Sequence, residues 1–330
     1  MNESSLARFG EFGTPPRRIV CLTEETVETL YLLGEDERIV GVSGFACRPK
    51  EARHKPHVSA FTSAKIDKIL DLKPDLVIGF SNLQADIARD LIRAGLNTLV
   101  FNQRSVAEIF QMILTLARIV GAEPAGLKLV TELRGGLDRV AQSARRFSHR
   151  PRVYFEEWMD PIISGIRWVE ELVEIAGGEP IFPEFRYEHD ATRRVVNPGE
   201  VVAAQPDVII ASWCGRKVNK AAIRSRVGWE AIPAVKNRHI YEIKSTYILQ
   251  PGPAALTEGV PQLHTILARV ADLKPLAGLC PSERMDTELA SPHRERGGPM
   301  KRVHVPVSLG SHPLRNQRKE KTHEHNHQRR

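Results

Sequence analysis

The sequence predicts an α/β protein of two similar lobes with parallel sheets, joined by one long helix. Three observations predict it. First, Lys73-Pro74-Asp75-Leu76-Val77-Ile78 is echoed by Gln205-Pro206-Asp207-Val208-Ile209-Ile210. Each copy ends an amphipathic run (66–72 and 201–204) and then enters an apolar segment. Proline stops a helix, aspartate suits the turn, and the apolar run suits a strand covered on both faces. Second, strand and helix patterns alternate along the first hundred residues, as in a parallel sheet flanked by helices. Third, between the two copies lies a helical pattern over 125–147. Its apolar residues Val130, Leu133, Leu137, Val140, Ala144 and Phe147 recur in steps of three and four. Such a helix reaches about 35 Å at 1.5 Å per residue, enough to span two lobes. Two facing lobes form a clamp, and a clamp takes something in its crevice.

The elements follow in order. A short apolar strand over 18–22 leads to Thr23, a helix cap, with Glu24 and Glu25 in the first turn and Gly34 as the stop. A second strand covers 38–43. A Pro/His-rich loop over 48–59 leads to the 66–72 helix and a strand over 76–80. A helix over 85–94 stops at Gly95, a strand covers 97–101, and a helix covers 106–120. Gly135-Gly136 weakens the long helix by about 1 kcal/mol per glycine against alanine. The second lobe opens with a strand over 152–155. A helix over 169–176 ends at Gly177-Gly178, strands follow over 207–212 and 239–243, and a helix over 254–270 closes the body. The expected divisions are an N-terminal segment 1–17, a lobe over 18–122, the interlobe helix over 123–150, a second lobe over 151–271 and a basic tail over 272–330. Both end segments are expected to be disordered, the tail for its lack of any sustained period.

Charge excludes less than it first suggests. The formal net charge is +7, but the tail holds 12 Lys+Arg against 7 Asp+Glu and so carries +5 of it. The body is nearly neutral, which argues against a nucleic-acid binder. The four cysteines (Cys21, Cys47, Cys214, Cys280) make no CxxC pair and no zinc-finger spacing. Residues 1–18 have no apolar core of a secretory signal, and no run approaches a membrane span. The chain as written is expected to be cytoplasmic, or periplasmic if the true start lies upstream. A tail in a shifted reading frame is one further expectation. His323-Glu324-His325-Asn326-His327 satisfies HExxH, but in a polar segment at the chain end rather than on a cleft helix. No phosphate-loop, dinucleotide or nucleophile-elbow motif stands at a strand-to-helix junction. Binding is therefore expected rather than catalysis.

Candidate ligand contacts stand at strand ends, where open α/β sheets bind ligands. In the second lobe these are Glu156-Glu157-Trp158 and Ser212-Trp213-Cys214-Gly215; in the first, Phe45, Phe61 and Phe80. Aromatic walls in both lobes fit a large, flat, partly apolar ligand, although any single one also fits a core role. Arg193-Arg194 lies in a loop where it would favour an anionic ligand, or else a solvated surface. His189 with Glu156, Glu157 and Cys214 is the alternative, a metal site.

The body resembles the substrate-binding proteins of ABC importers for vitamin B12, ferric siderophores and haem, the two-lobed type with one long helix. The marks are Arg18-Ile19-Val20-Cys21-Leu22, Leu33-Gly34 with Arg38-Ile39-Val40-Gly41-Val42, Ile66-Asp67-Lys68-Ile69 before Lys73-Pro74-Asp75-Leu76-Val77, and Pro198-Gly199-Glu200-Val201 before Gln205-Pro206-Asp207. Ser164-Gly165, Ala176-Gly177-Gly178 and Pro251-Gly252-Pro253-Ala254-Ala255 resemble the cobalamin-binding branch. The resemblance implies two Rossmann-like lobes in a chelatase-like, helical-backbone arrangement. It implies a metal-chelate ligand such as cobalamin in the cleft, no resident cofactor or metal, and a monomer that does not insert into the membrane. It also implies one docking carboxylate per lobe for the importer's membrane subunits. Asp67 matches the first, in place of the usual glutamate, and Glu200 stands at the displaced second. The strand-end reading and the resemblance together give Phe45, Phe61, Phe80, Trp158, Arg193 and Trp213 as the expected ligand contacts. A cytoplasmic corrinoid- or metal-handling enzyme or sensor on the same scaffold is the alternative reading.

Overall fold

The computed structural model describes residues 14–271. Two sheets account for all the named strands. The first has the order β4-β3-β2-β1-β5-β6, with β1 Ile19–Cys21, β2 Ile39–Ser43, β3 His57–Ala60, β4 Ser63–Ala64, β5 Leu76–Phe80 and β6 Thr98–Phe101. All its pairings are parallel except β3–β4. The second sheet has β7 Arg152–Met159, β8 Ile162–Ser164, β9 Glu179–Pro180, β10 Val208–Ala211 and β11 Ile240–Glu242. It runs β11-β10-β7-β8, with β9 on β7, and only β7–β8 is antiparallel. The parallel, helix-flanked sheets match the α/β expectation. The sequence predicts a loop over 48–59 with no strand, yet its end contributes strand β3, held between β2 and β4. Its short alternation is interrupted by Pro56 and carries too few apolar residues to signal a strand.

The repeated Pro-Asp motif has one structural job in both lobes. Lys73 and Gln205 each take φ 46°, ending the helix before proline, where right-handed helical backbone is disfavoured. Each aspartate then clasps the residue that opens its lobe's central strand. Asp75 accepts the Arg18 N–H at 3.0 Å, and Asp207 accepts the Arg152 N–H at 2.8 Å. The backbone N–H of each returns to the carbonyl of the same arginine. The sequence echo is thus a repeated strand lock.

Helices α1 Glu24–Leu33, α2 Ile66–Asp71, α3 Ala85–Arg93 and α4 Val106–Ile119 accompany the first sheet. Helix α4 starts with a full capping box between Ser105 and Glu108. Helix α5, Glu123–Ala144, is the long connector, and its 22 residues include both Gly135 and Gly136. Helices α6 Arg167–Ile175, α7 Pro198–Ala204, α8 Lys220–Arg224, α9 Pro233–Lys236, α10 Ser245–Ile248 and α11 Val260–Val270 accompany the second sheet. A π-helical turn, Ala255–Gly259, leads into α11, so the closing helix expected over 254–270 has two parts. Thr23 does not cap α1 with its side chain; its hydroxyl donates to Glu25 Oε1 at 2.6 Å.

Helix α5 packs on α1 and α4 from one side of the molecule and on α6 and α11 from the other. One apolar core runs through both sets, from Ile19, Leu30 and Ile113 through Leu133 and Leu137 to Val153, Leu172 and Leu263. Hydrogen bonds reinforce it: Val106 N–H to Glu171 Oε2 at 2.7 Å, Trp168 Nε1 to the Ile248 carbonyl at 2.9 Å, and Ala254 N–H to Glu28 Oε2 at 2.9 Å. The lobes are joined by packing as well as by the helix.

Candidate functional site

Strand order places the site. In the first sheet the chain leaves β1 toward β2 and later returns on its other side with β5. In the second it places β8 and β9 on one side of β7 and β10 on the other. Ligands of open α/β sheets bind beyond the carboxyl ends of the strands at such reversals. The segments there are Leu22–Glu25 and Phe80–Gln84 in one lobe, Glu156–Trp158 and Ser212–Cys214 in the other.

In the first lobe Gln84 fastens the strand ends together. Its Oε1 accepts the Phe80 N–H at 2.9 Å, and its Nε2 donates to the Phe61 carbonyl at 2.9 Å. Its approach requires Gly79, since a Cβ there would lie 2.8 Å from Gln84 Oε1. Ser81 takes φ 65° and ψ 169°, a conformation that costs a non-glycine residue about 1–3 kcal/mol and marks functional turns. Glu25 is buried and burial pushes its carboxyl up to about 8; Glu24, also buried, rises to about 6. Glu28 is raised by burial too, against the opposing pull of Arg48, which lies 3.2 Å away.

The second lobe closes its charges into pairs. Glu156, fully buried, accepts Arg226 Nη1 at 2.5 Å, Arg226 Nη2 at 3.0 Å and Trp213 Nε1 at 3.1 Å. The Arg226 guanidinium also lies 4.5 Å from the Trp229 ring centroid. Glu157 pairs with Arg194 at 2.6 Å and 3.3 Å, and Arg194 also donates to the Ser164 carbonyl at 2.5 Å.

The expected site residues fall in different environments. Phe80 is buried under Arg104, whose guanidinium lies 5.0 Å from its ring centroid. Phe61 is half-buried and Phe45 is 54% exposed. Trp158 is half-buried, donates to the Asp160 carbonyl at 3.0 Å, and carries Arg216 5.4 Å from its ring. Trp213 is buried in the second lobe's own core cluster with Tyr154 and Trp229. Arg193 is exposed and stands 3.8 Å from Glu188, whereas its neighbour Arg194 is buried. Asp67 and Glu200 are both exposed, each on the helix that precedes its lobe's Pro-Asp lock. His189 is exposed, and among the described residues no group of three or more His, Cys, Asp or Glu is placed to hold a metal ion. The His323–His327 cluster lies outside the described residues. Sequence reasoning missed Arg104 and Arg226, because an isolated arginine in a loop carries no pattern.

The profile of the periplasmic binding protein family matches residues 19–247, which covers both sheets. The chain belongs to the periplasmic binding protein family. The ABC transporter substrate-binding lipoprotein YvrC of Bacillus subtilis is 28% identical over 258 residues, 75% of this chain and 79% of that protein. The vitamin B12-binding protein of Vibrio parahaemolyticus is 25% identical over 260 residues, 77% of this chain and 89% of that one. Among solved structures, the periplasmic vitamin B12-binding protein BtuF of Vibrio cholerae superposes with TM-score 0.63 and 25% identity, covering 79% of this chain and all of that one. The periplasmic haem-binding protein RhuT of Roseiflexus sp. RS-1 superposes with TM-score 0.66 at 23% identity, covering 78% and 100%. Like other chains of this family, the protein is a two-lobed α/β structure. No helix among its described residues is long and apolar enough to cross a membrane.

Proposed function

We propose that this periplasmic binding protein is the ligand-receiving component of an ABC importer and takes a corrinoid or related metal chelate between its lobes. The observation that carries the reading is the meeting of topology and chemistry. Both sheets reverse direction at strands whose carboxyl ends bear an aromatic residue beside polar groups: Phe80 in one lobe and Trp158 in the other. Relatives named as vitamin B12-binding proteins, aligned over about three quarters of the chain, support the ligand class. Relatives that are lipoproteins or periplasmic support a place outside the cytoplasm. The protein's part is recognition: apolar walls receive the ligand's faces, polar groups at strand ends fix its orientation, and surface carboxylates meet the transporter. The shared core and the cross-lobe hydrogen bonds favour a small closure on binding.

The test is a titration of the full chain with cobalamin, haem and a ferric siderophore, following tryptophan fluorescence. Saturable quenching by one of them is expected, and a flat response to all three overturns the reading. Trp158→Ala should then weaken binding about tenfold, the equivalent of about 1.4 kcal/mol. Trp213→Ala should act on stability instead, because its ring fills a core and its Nε1 serves Glu156. Equal loss of affinity in both variants would place both rings in the ligand wall.

A further inference from the structure

One cation in the cleft is left open. Arg104 follows β6 and precedes α4, and it is 6% exposed. Phe80 covers one face of its guanidinium at 5.0 Å, and Nη2 donates to Asn82 Oδ1 at 3.3 Å. Its Nε is buried with no hydrogen-bond partner, and among the described residues no carboxylate lies within ion-pair distance of it. The strongest neighbouring charge is of the same sign, Arg194 of the opposite lobe; burial first, and then Arg194, lower its pKa against the weaker opposing pull of Glu157, Glu108 and Asp190. Arg194 is itself neutralised by Glu157, so that carboxylate is already engaged. The adjoining residue, Gln103, donates to the Pro251 carbonyl at 3.0 Å and holds the end of β6 in place from behind. A buried guanidinium without a counter-charge is costly, and proteins retain one where a partner completes it.

We propose that Arg104 is the anion seat of the cleft and receives a carboxylate or phosphate group borne on the edge of the ligand. This rests on the clamp reading above and narrows it: the ligand carries a fixed negative group beside its apolar body. The ring of Phe80 fixes the plane of the guanidinium and Asn82 occupies one Nη2 proton, which leaves the remaining Nη protons as donors. A planar fork of that kind matches an oxyanion with two acceptor oxygens, a geometry lysine cannot supply.

The experiment compares matched probes on the full chain. Haem with free carboxylates is set against its dimethyl ester, and cobalamin, which bears a phosphodiester, against cobinamide, which does not. Wild type should prefer the acid form of one pair roughly tenfold to a hundredfold, the range for charge-assisted hydrogen bonds. The pair that shows the preference tells carboxylate from phosphate. Arg104→Gln should bring the ratio of acid to neutral affinity to about one, and Arg104→Lys should restore part of the preference. Binding of the neutral probes with no acid preference in wild type overturns the anion seat and leaves the clamp standing. A preference that survives in Arg104→Gln also overturns it. Failure of all four probes and of a ferric siderophore to bind overturns both readings. If Arg104→Gln does not fold, the wild-type preference and Arg104→Lys decide.

Discussion

The two lobes place the same residues at the same topological position and treat them differently. Each central strand leads into a pair of glutamates at the cleft, Glu24-Glu25 after β1 and Glu156-Glu157 within β7. In the second lobe both acids of the pair bond to arginines, Glu156 to Arg226 and Glu157 to Arg194. In the first, Glu25 has a threonine hydroxyl and no arginine, while Arg104 has an aromatic face and no carboxylate. Closing the charges secures a fold; leaving them open costs stability and keeps polar groups ready for something that arrives later. Glu170 is the second lobe's exception. It is a buried acid on α6 that burial raises to about 8, against the pull of Arg186 and Arg194.

The comparison breaks first on stability. Arg226→Ala would leave fully buried Glu156 without its counter-charge, at a cost of about 3–5 kcal/mol. Arg104→Ala removes a cation with no ion-pair partner among the described residues, so the lost stacking of about 1 kcal/mol on Phe80 is offset by relief of its desolvation. Urea unfolding of the two variants should therefore separate them by at least about 2 kcal/mol. Equal midpoint shifts would mean that Arg104 is as much a part of the fold as Arg226.

A comparable effect, spread over several pH units, lies in the open acids of the first lobe. The folded carboxyl of Glu25, at about 8, stands above its ordinary value of 4.5. The folded chain thus holds that proton more tightly than the unfolded chain does. Its contribution is complete below about pH 4.5 and is lost as pH rises toward 8. At about 1.4 kcal/mol per pKa unit the loss is on the order of 3–5 kcal/mol, shared in direction by Glu170. Glu25→Gln keeps the shape and removes the titration. Its stability should change less between pH 5 and pH 8.5 than wild type's, with the advantage appearing at the alkaline end. Parallel pH curves for the two proteins would show that Glu25 is not a protonated acid of the folded chain.

Much of the fold was legible, because its signals are local and repeated. The Pro-Asp echo located β5 and β10, and the three-and-four spacing from Val130 to Val140 located α5 to within a few residues. The shortest strands were not, since β4 and β9 have two residues each and β8 three, too short for a period. The site was legible only as a region. Strand ends could be marked, but whether a marked residue faces the cleft or the core depends on packing from distant segments. Trp213 is drawn inward by Glu156, 57 positions earlier, and Arg194 rather than Arg193 turns inward to meet Glu157 and the Ser164 carbonyl. Glu156 is gripped by Arg226 across 70 positions, a pairing that spacing alone does not encode.

The smallest expected effect concerns the outer surfaces of the lobes, where the resemblance assigns Asp67 and Glu200 to transporter docking. The two stand on equivalent helices but in unequal circumstances. Asp67 is exposed in the first turn of α2, whereas Glu200 accepts the Asn197 N–H at 3.0 Å in the capping box of α7. Interface charges act more on association rate than on affinity, so Asp67→Ala should slow binding to the importer's membrane subunits several-fold at low salt, with ligand affinity unchanged. Glu200→Ala would confound docking with loss of the cap, about 1 kcal/mol. Glu200→Gln separates them, since glutamine completes a capping box as glutamate does and lacks the charge. Association with the membrane subunits in lipid discs, followed across ionic strength, should show Glu200→Gln slowed about as much as Asp67→Ala and folding as stably as wild type. If Glu200→Gln associates like wild type, its carboxylate serves α7 alone, and the lobes differ at their outer faces as they do at the cleft.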